Sequence, residues 1–381
     1  MARPEVIDDL AAAEALAPAW DELAQEASLP LCAPGWMLSW WRHMAPSGSE
    51  LRIVAIRDSE RLIGLAPWFA DPGPKGRTDV RFLGAEISDR VDVLCRPGRE
   101  REVTSALRTA IGELRPRPDL VAFEAVPASS QWTRRLARRG LALARYRNSV
   151  LPAPTVTLPA GEPEAWLAGR SNHFRKRVRR LHRQLEALGG AVRQASGSDE
   201  RRAALEAMLT LHRERWSERG ESGLTRKGVP ELLHDACEAL GPDRLRLWLI
   251  EIEGTPISVQ LFLAAGTELK YWNGGWAERH AELQPTMLTI LAAIEDAAGR
   301  GERRMDLGAG THPYKMRFAD GDDPLSWGGV IVRNRRWPTT RAELSPRVLR
   351  YRAKQLVEAL PDGVGERLRG LADRAQGERP A

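Results

Sequence analysis

LRLWLIEIEGTPISVQLFLAAGTELKYWNGGW, residues 245–276, decides the fold. Apolar and polar side chains alternate through LRLWLIEIE, which predicts a strand with one buried face. Glu253-Gly254 and Gly266-Thr267 are turn pairs, so ISVQLFLA and ELKYWNGG become the second and third strands of an antiparallel meander. Beyond it stand a loop, a helix opening near Pro285, a short strand (RRMDLG, 303–308) and a polar loop (AGTHPYKMRF, 309–318). Strand, strand, strand, loop, helix, strand is an order that can point a helix N-terminus at a phosphate.

The hairpin recurs upstream. LRIVAIRDSERLIGLAPWFA (51–70) lies over LRLWLIEIEGTPISVQLFLA (245–264) without a gap. Leu51, Arg52, Ile56, Ile63 and Ala70 face Leu245, Arg246, Ile250, Ile257 and Ala264, and the turns coincide. Both copies continue through strands into a helix and another strand. This predicts two similar α/β units in tandem. The expected bounds are 1–159, 160–335 and a basic helical end at 336–381. Proline-rich 151–166 is either the connection or the first strand of the second unit. LSWGGVIV (325–332) is expected to complete the second sheet.

The chain has 381 residues, 43% of them hydrophobic, which is enough for two cores. No run of eighteen apolar residues stands in it, so no membrane-crossing helix is expected. The start carries early acids and no basic region before an apolar one, which reads as a cytoplasmic protein. Cys32, Cys95 and Cys237 have neither metal-ligand nor disulfide-framework spacing, so no metal is expected. Fifty-seven basic against 51 acidic residues leave a net charge of +6, which points to an anionic partner without naming it.

Much of that excess sits in SNHFRKRVRRLHRQLEAL, residues 171–188. Phe174, Val178, Leu181, Leu185 and Leu188 make one apolar stripe, Ser171 is an N-cap and Gly189-Gly190 a stop. Arg175, Lys176, Arg177, Arg179, Arg180 and Arg183 cover the other faces, with Glu186 the only acid. Such a run is either a solvated face or a site for a diphosphate, an acidic polymer, RNA or an anionic membrane. No helix-turn-helix or zinc pattern accompanies it, which argues against a duplex-DNA reader. A second helix, 203–219, ends LHRERWSERG. Its Trp216 either packs beside a ligand or covers the core, and Arg215 and Arg219 either contact phosphate or lie exposed. Residues 345–360 predict one more amphipathic helix, packed on the second unit or laid on an anionic membrane. The tail from Arg367 is expected to fray.

In this order, the basic helix, LHRERWSERG, the hairpin, KYWNGGW, LQPTMLTILAAIEDAAGRG and MDLGAGTHPYKMRF resemble the GNAT-superfamily acyltransferases of the cellulose-biosynthesis type, the CelD/BcsL-like group. These are similar in architecture to the FemAB peptidyltransferases. The resemblance spans roughly residues 20–333 and is strongest over 171–318. It implies an α/β (α+β) fold of two tandem GNAT-like domains, each a mixed, mostly antiparallel sheet flanked by helices. It also implies transfer of an acyl group from acyl-CoA to an amine or hydroxyl of a small-molecule, sugar or peptide acceptor. Aminoacyl-tRNA is the donor under the FemAB-like alternative, the one reading that brings in RNA. A non-catalytic anion-binding module is the third reading.

The resemblance places Gln284, Pro285, Thr286 and Met287 at the donor diphosphate, with Thr286 where the family has glycine; the same residues also make an ordinary helix start. It puts the family's Asp, Gly, Tyr-Lys and aromatic motif on Asp306, Gly308, Tyr314, Lys315 and Phe318, with one residue between Asp306 and Gly308. Asp306 then serves as base or orienting group, Lys315 as anion or oxyanion holder and Tyr314 as acid toward the leaving thiolate. The alternatives are a structural Asp306–Lys315 ion pair and a core tyrosine. His312, Glu278 and Glu282 are further base candidates. Gln260 and Asn273, polar within apolar strands, are expected to line the acceptor site with Trp216, Arg175 and Arg179.

Overall fold

The computed structural model describes residues 2–84, 86–137, 143–216 and 222–358. The ends of two predicted helices (217–219 with Arg219, and 359–360) and the tail from Arg367 lie outside the described residues.

The two hairpins are structural copies. Ile53–Asp58 pairs with Arg61–Ala66, and Leu245–Ile252 with Thr255–Ala265. Val54 faces Ala66 as Trp248 faces Gln260, and Ile56 faces Gly64 as Ile250 faces Ser258. A bulge follows Ile56 in one and Ile250 in the other. Ser59 and Glu253 both take left-handed backbone in the turn, φ 52° and 51°. The ungapped sequence match is therefore a match of register, the property that decides which face each side chain occupies. In the first copy Ala66 and Gly64 stand where the second carries Gln260 and Ser258.

The second unit is built on a seven-stranded sheet. Its order is Gly190–Gln194, Leu245–Ile252, Thr255–Ala265, Glu268–Trp276, Arg304–Asp306, Pro154–Thr157 and Gly321–Asp322. All neighbours are antiparallel except Glu268–Trp276 and Arg304–Asp306, which are parallel. A parallel pair needs a crossover, and the helix Pro285–Gly299 provides it, burying Leu288, Ile290, Leu291 and Ile294. The parallel ladder runs only from Glu268↔Arg304 to Lys270↔Asp306. Beyond Lys270 the long strand stays paired with Thr255–Ala265 as far as Trp276 but has lost Arg304–Asp306 on its other side, so the sheet splays open. Pro285 in the first turn fixes where the helix starts, and Gln284 before it is left-handed at φ 49°.

Strand membership departs from the expected division at two places. Pro154–Thr157 is a strand of the seven-stranded sheet, although it precedes residue 160. Leu325–Val332 does not complete that sheet. It is a strand of a six-stranded sheet of the first unit, between Leu120–Pro127 and Leu143–Leu151 and antiparallel to both. Its run VIV is buried on both faces (Val330, Ile331, Val332), which suits a central strand better than an edge. Gly328 lets the neighbouring backbone approach: a Cβ there would lie 2.5 Å from the Tyr146 carbonyl. The helix Trp337–Glu358 packs on this same six-stranded sheet rather than on the second unit. Leu344 and Trp337 meet Leu120, Ile331 and Tyr146 there.

A second meeting of the units lies behind the splay. Trp272 points away from the cleft, donates to the Ile87 carbonyl at 2.9 Å and meets Trp36 edge-on at 5.1 Å. Gly275 explains why the long strand can lie against the helix Ser198–Trp216. A Cβ there would stand 2.5 Å from the Met208 carbonyl and 2.8 Å from the His212 amide, both backbone atoms. Gly275→Ala is expected to cost about 1–3 kcal/mol, read as a lowered thermal midpoint; an unchanged midpoint would contradict this packing.

Candidate active site

The splay holds a cleft of about 610 Å³. Its walls come from the long strand (Gln260 beside it, Tyr271, Asn273, Gly274, Trp276), the helix start (Gln284 to Met287), the end of Ser198–Trp216 (His212, Arg215, Trp216) and the loop His312, Tyr314, Arg317. No carboxylate lines it among the described residues.

At the helix start Pro285 has no N–H, and the Met287 and Leu288 amides donate to the Gln284 carbonyl at 2.8 and 3.4 Å, which leaves the Thr286 amide as the first-turn donor at the positive end of the helix dipole. Arg177 of the basic helix Asn172–Ala187 donates to Gln284 Oε1 at 2.6 Å, and Arg317 reaches the same oxygen at 3.3 Å. Burial, then Arg317 and Arg180, lower the Arg177 guanidinium below its usual value. Its Nε is buried without a hydrogen-bond acceptor. Two guanidinium groups share one neutral carboxamide oxygen, so the site is short of negative charge. That fits a phosphate-bearing group. Thr286 in place of glycine leaves room, since it is only half-buried at the wall.

Deeper in, a bulge between Leu261 and Phe262 sets Tyr271 and Asn273 across from them. Tyr271 donates to Gln260 Oε1 at 2.8 Å, and Gln260 donates to Ser258 Oγ at 3.1 Å and the Gly275 carbonyl at 3.3 Å. The buried Gln260 is thus fully satisfied and holds Tyr271. Tyr314 stands edge-on to Tyr271 at 6.4 Å, and His312 stacks on Tyr314 at 6.2 Å. Burial pushes the Tyr314 phenol above its usual value, so it stays protonated at neutral pH. Asn273 Oδ1 accepts from the Gly274 amide at 2.8 Å.

A third group was not singled out from sequence. His212, 4% exposed, bonds the Gly274 carbonyl through Nδ1 at 3.1 Å and Ser222 Oγ through Nε2 at 2.5 Å. A carbonyl can only accept, so Nδ1 carries the proton and Nε2 is the free base end. Burial, partly offset by the Gly274 bond, lowers its basicity, so the ring is neutral at pH 7. Trp216 stacks on it at 5.9 Å, and Arg215 lies 4.7 Å over Trp276. The signal available was LHRERW itself: an inward histidine four residues before a tryptophan on one helix face.

Six expected candidates stand elsewhere. Asp306 is fully buried behind the splay, held by Arg90 Nε at 2.7 Å and Lys270 Nζ at 3.0 Å. Lys270 also pairs with Asp89, and Arg90 with Asp323 at 2.6 Å. Burial alone would raise the Asp306 carboxyl, but Lys270 and Arg90 outweigh it and hold it well below the usual carboxylate range. A carboxylate so paired and so enclosed has no access to an acceptor and is not a general base. Lys315 does not pair with Asp306; it caps the Gly308 and Ala309 carbonyls at 3.1 and 2.8 Å. Burial pushes its ammonium down to about 8. Its place is the loop's interior, which removes it as oxyanion holder. Arg175 caps the Ala168 and Arg170 carbonyls at 2.6 and 2.9 Å. Arg179 is exposed outside the cleft. Glu278 and Glu282 are likewise not among the lining residues; Glu278 lies 3.7 Å from Arg215. The described residues contain no cluster of three metal-ligating side chains.

The sequence model described as an acetyltransferase (GNAT) domain matches residues 172–316. No curated protein matches the chain. Among solved structures, FemX is similar with a TM-score of 0.63 at 12% identity, over 83% of this chain and 96% of that one. The C-terminal domain of a putative lysylphosphatidylglycerol synthetase from Agrobacterium fabrum gives 0.54 at 10%, over 86% and 93%. L-PGS from Bacillus licheniformis gives 0.52 at 11%, over 90% and 97%. At these identities the likeness is one of fold: a mixed α/β chain of two GNAT-like halves.

Proposed function

We propose that the cleft moves an acyl group from acyl-CoA to an amine of a small-molecule, sugar or peptide acceptor, in the manner of the CelD/BcsL-like acyltransferases. The observation that carries this reading is the anion-seeking start of the helix Pro285–Gly299, where Arg177 and Arg317 share Gln284 Oε1. A thioester donor supplies an activated carbonyl and a thiolate leaving group. Arg177, Arg317 and the Thr286 amide hold its phosphates. The mouth of the splay receives the acyl end beside Tyr271, Tyr314 and Asn273. His212 Nε2 takes the acceptor's proton through the Ser222 hydroxyl, and Tyr314 returns a proton to the leaving group. Acyl-CoA use puts the reaction in the cytoplasm.

The direct test is calorimetry with acetyl-CoA and longer acyl-CoAs, joined to mass spectrometry of any ligand retained on purification. Failure to bind every acyl-CoA would sink the reading. Arg177→Ala and Arg317→Ala are each expected to weaken donor binding by roughly 10- to 100-fold, the size of one charge-assisted hydrogen bond, with kcat changed less. Since His212 must be neutral to act and burial lowers its pKa, activity should persist below pH 6.5 and fall only as pH drops further. An acidic limb above pH 6.5 would exclude His212.

An aminoacyl-tRNA donor is kept as a second reading for one reason. Arg179, Arg180 and Arg183 on the exposed face of the basic helix have no ion pair among the described residues. Strongly salt-dependent tRNA binding together with absent CoA binding would favour it.

A further inference from the structure

Away from the cleft, the helix Trp337–Glu358 and the edge strand Leu143–Leu151 enclose a groove of about 830 Å³. Arg145 and Arg147 line it from the strand, and Arg333, Arg341 and Arg352 from the other side. No carboxylate among the described residues lines it. The contrast with the rest of the first unit is sharp. Arg77, Arg81, Arg90, Arg96 and Arg99 each hold one or more carboxylates. The five groove arginines form no ion pair among the described residues. Burial and then Arg147 lower the Arg145 guanidinium below its usual value. Glu343, an acid on this helix, turns away to Arg77 at 2.9 Å.

The same helix leaves large apolar side chains in water. Leu349 is 63% and Leu356 70% exposed. They stand seven residues apart, hence on one helix face, and Leu349 borders the groove. No helix among the described residues is long and apolar enough to cross a membrane. Unpaired cations beside exposed leucines on a surface helix are the two parts of an interfacial membrane anchor: charge to draw it to anionic headgroups and side chains to enter the acyl boundary.

We propose that this helix face, with Arg145 and Arg147 beside it, docks the enzyme on an anionic lipid bilayer. RNA fits the charge but not the rest. It would leave Leu349 and Leu356 in water, and the ring a base would stack on, Trp337, is already engaged by Arg333 at 5.5 Å and Arg341 at 5.2 Å. Docking here serves an acceptor that is itself held at a membrane and does not depend on the identity of the donor.

The test is co-sedimentation of the full chain with phosphatidylcholine vesicles with and without phosphatidylglycerol, at two salt concentrations, beside a tRNA-binding control. Binding is expected only to the anionic vesicles and should weaken with salt. Arg341→Glu/Arg352→Glu should lower partitioning by more than about 10-fold. Leu349→Ser/Leu356→Ser should lower it by about 10-fold while leaving the salt dependence in place. All these side chains are exposed or groove-lining, so circular dichroism and the thermal midpoint should match the parent. The proposal is overturned by no binding to anionic vesicles, by vesicle binding that both variants retain, or by tRNA binding that the arginine variant abolishes in the absence of vesicle binding.

Discussion

Asp306→Ala should unfold the protein's centre before it says anything about catalysis. Asp306 is enclosed, and two cations depend on it: Lys270, 2% exposed, and Arg90, whose other carboxylate is Asp323. Removing it leaves charge buried without its partner, which typically costs about 3–5 kcal/mol. Arg90 and Asp89 come from the first unit and Lys270 and Asp306 from the second, so the loss falls on the junction between them. The measurement is chemical denaturation of parent and variant, with the midpoint lowered and the slope kept. The pair's contribution is present above the ordinary carboxylate range and is lost only as pH falls through the depressed Asp306 value. If Asp306→Asn kept full stability and lost turnover by orders of magnitude, the carboxylate would return as a reacting group.

Tyr314→Phe is expected to act the other way, sparing the fold and removing rate. Tyr271 already gives its hydroxyl to Gln260, which leaves Tyr314 as the cleft's phenol with a proton to give. Loss of a general acid lowers kcat by about 10²–10⁴, with KM for donor and acceptor changed only a few-fold. Because burial raises this phenol above its usual value, the parent should hold its activity past pH 10 before losing it, and the variant should lack that alkaline limb. Unchanged kcat in Tyr314→Phe would take Tyr314 out of the chemistry. Single-turnover measurements separate this from slow product release.

Much of the scaffold was legible because it is local. The hairpin match at an offset without gaps carried register, bulge and left-handed turn together, since each is fixed by neighbours in sequence. Gln260, Asn273 and the helix start at Pro285 were legible for the same reason, since alternation along a strand and a proline at a helix start are short-range signals; the place of Gln284 to Met287 and Tyr314 in a site came only through the family resemblance. What stayed hidden depends on distant partners. Asp306 carries the family motif, yet its role is set by Arg90, 216 residues away. Lys315 follows Tyr314 in the chain but turns into the loop to cap carbonyls. His212 reads as one more inward residue of an amphipathic helix until Gly274 and Ser222 are brought to its two nitrogens. LSWGGVIV reads as the strand that completes the second sheet until its distant partners, Leu120–Pro127 and Leu143–Leu151, take it into the first.

That last strand bears on how the protein is made. The first unit's six-stranded sheet has Leu325–Val332 between Leu120–Pro127 and Leu143–Leu151, so at residue 159 it still lacks a central member. A ribosome must deliver the whole second unit before the first can close, which reverses the usual order in which N-terminal domains finish ahead of the rest. The first half is not an independent folding module: two of its strands wait, while the second unit is made, for the one that joins them.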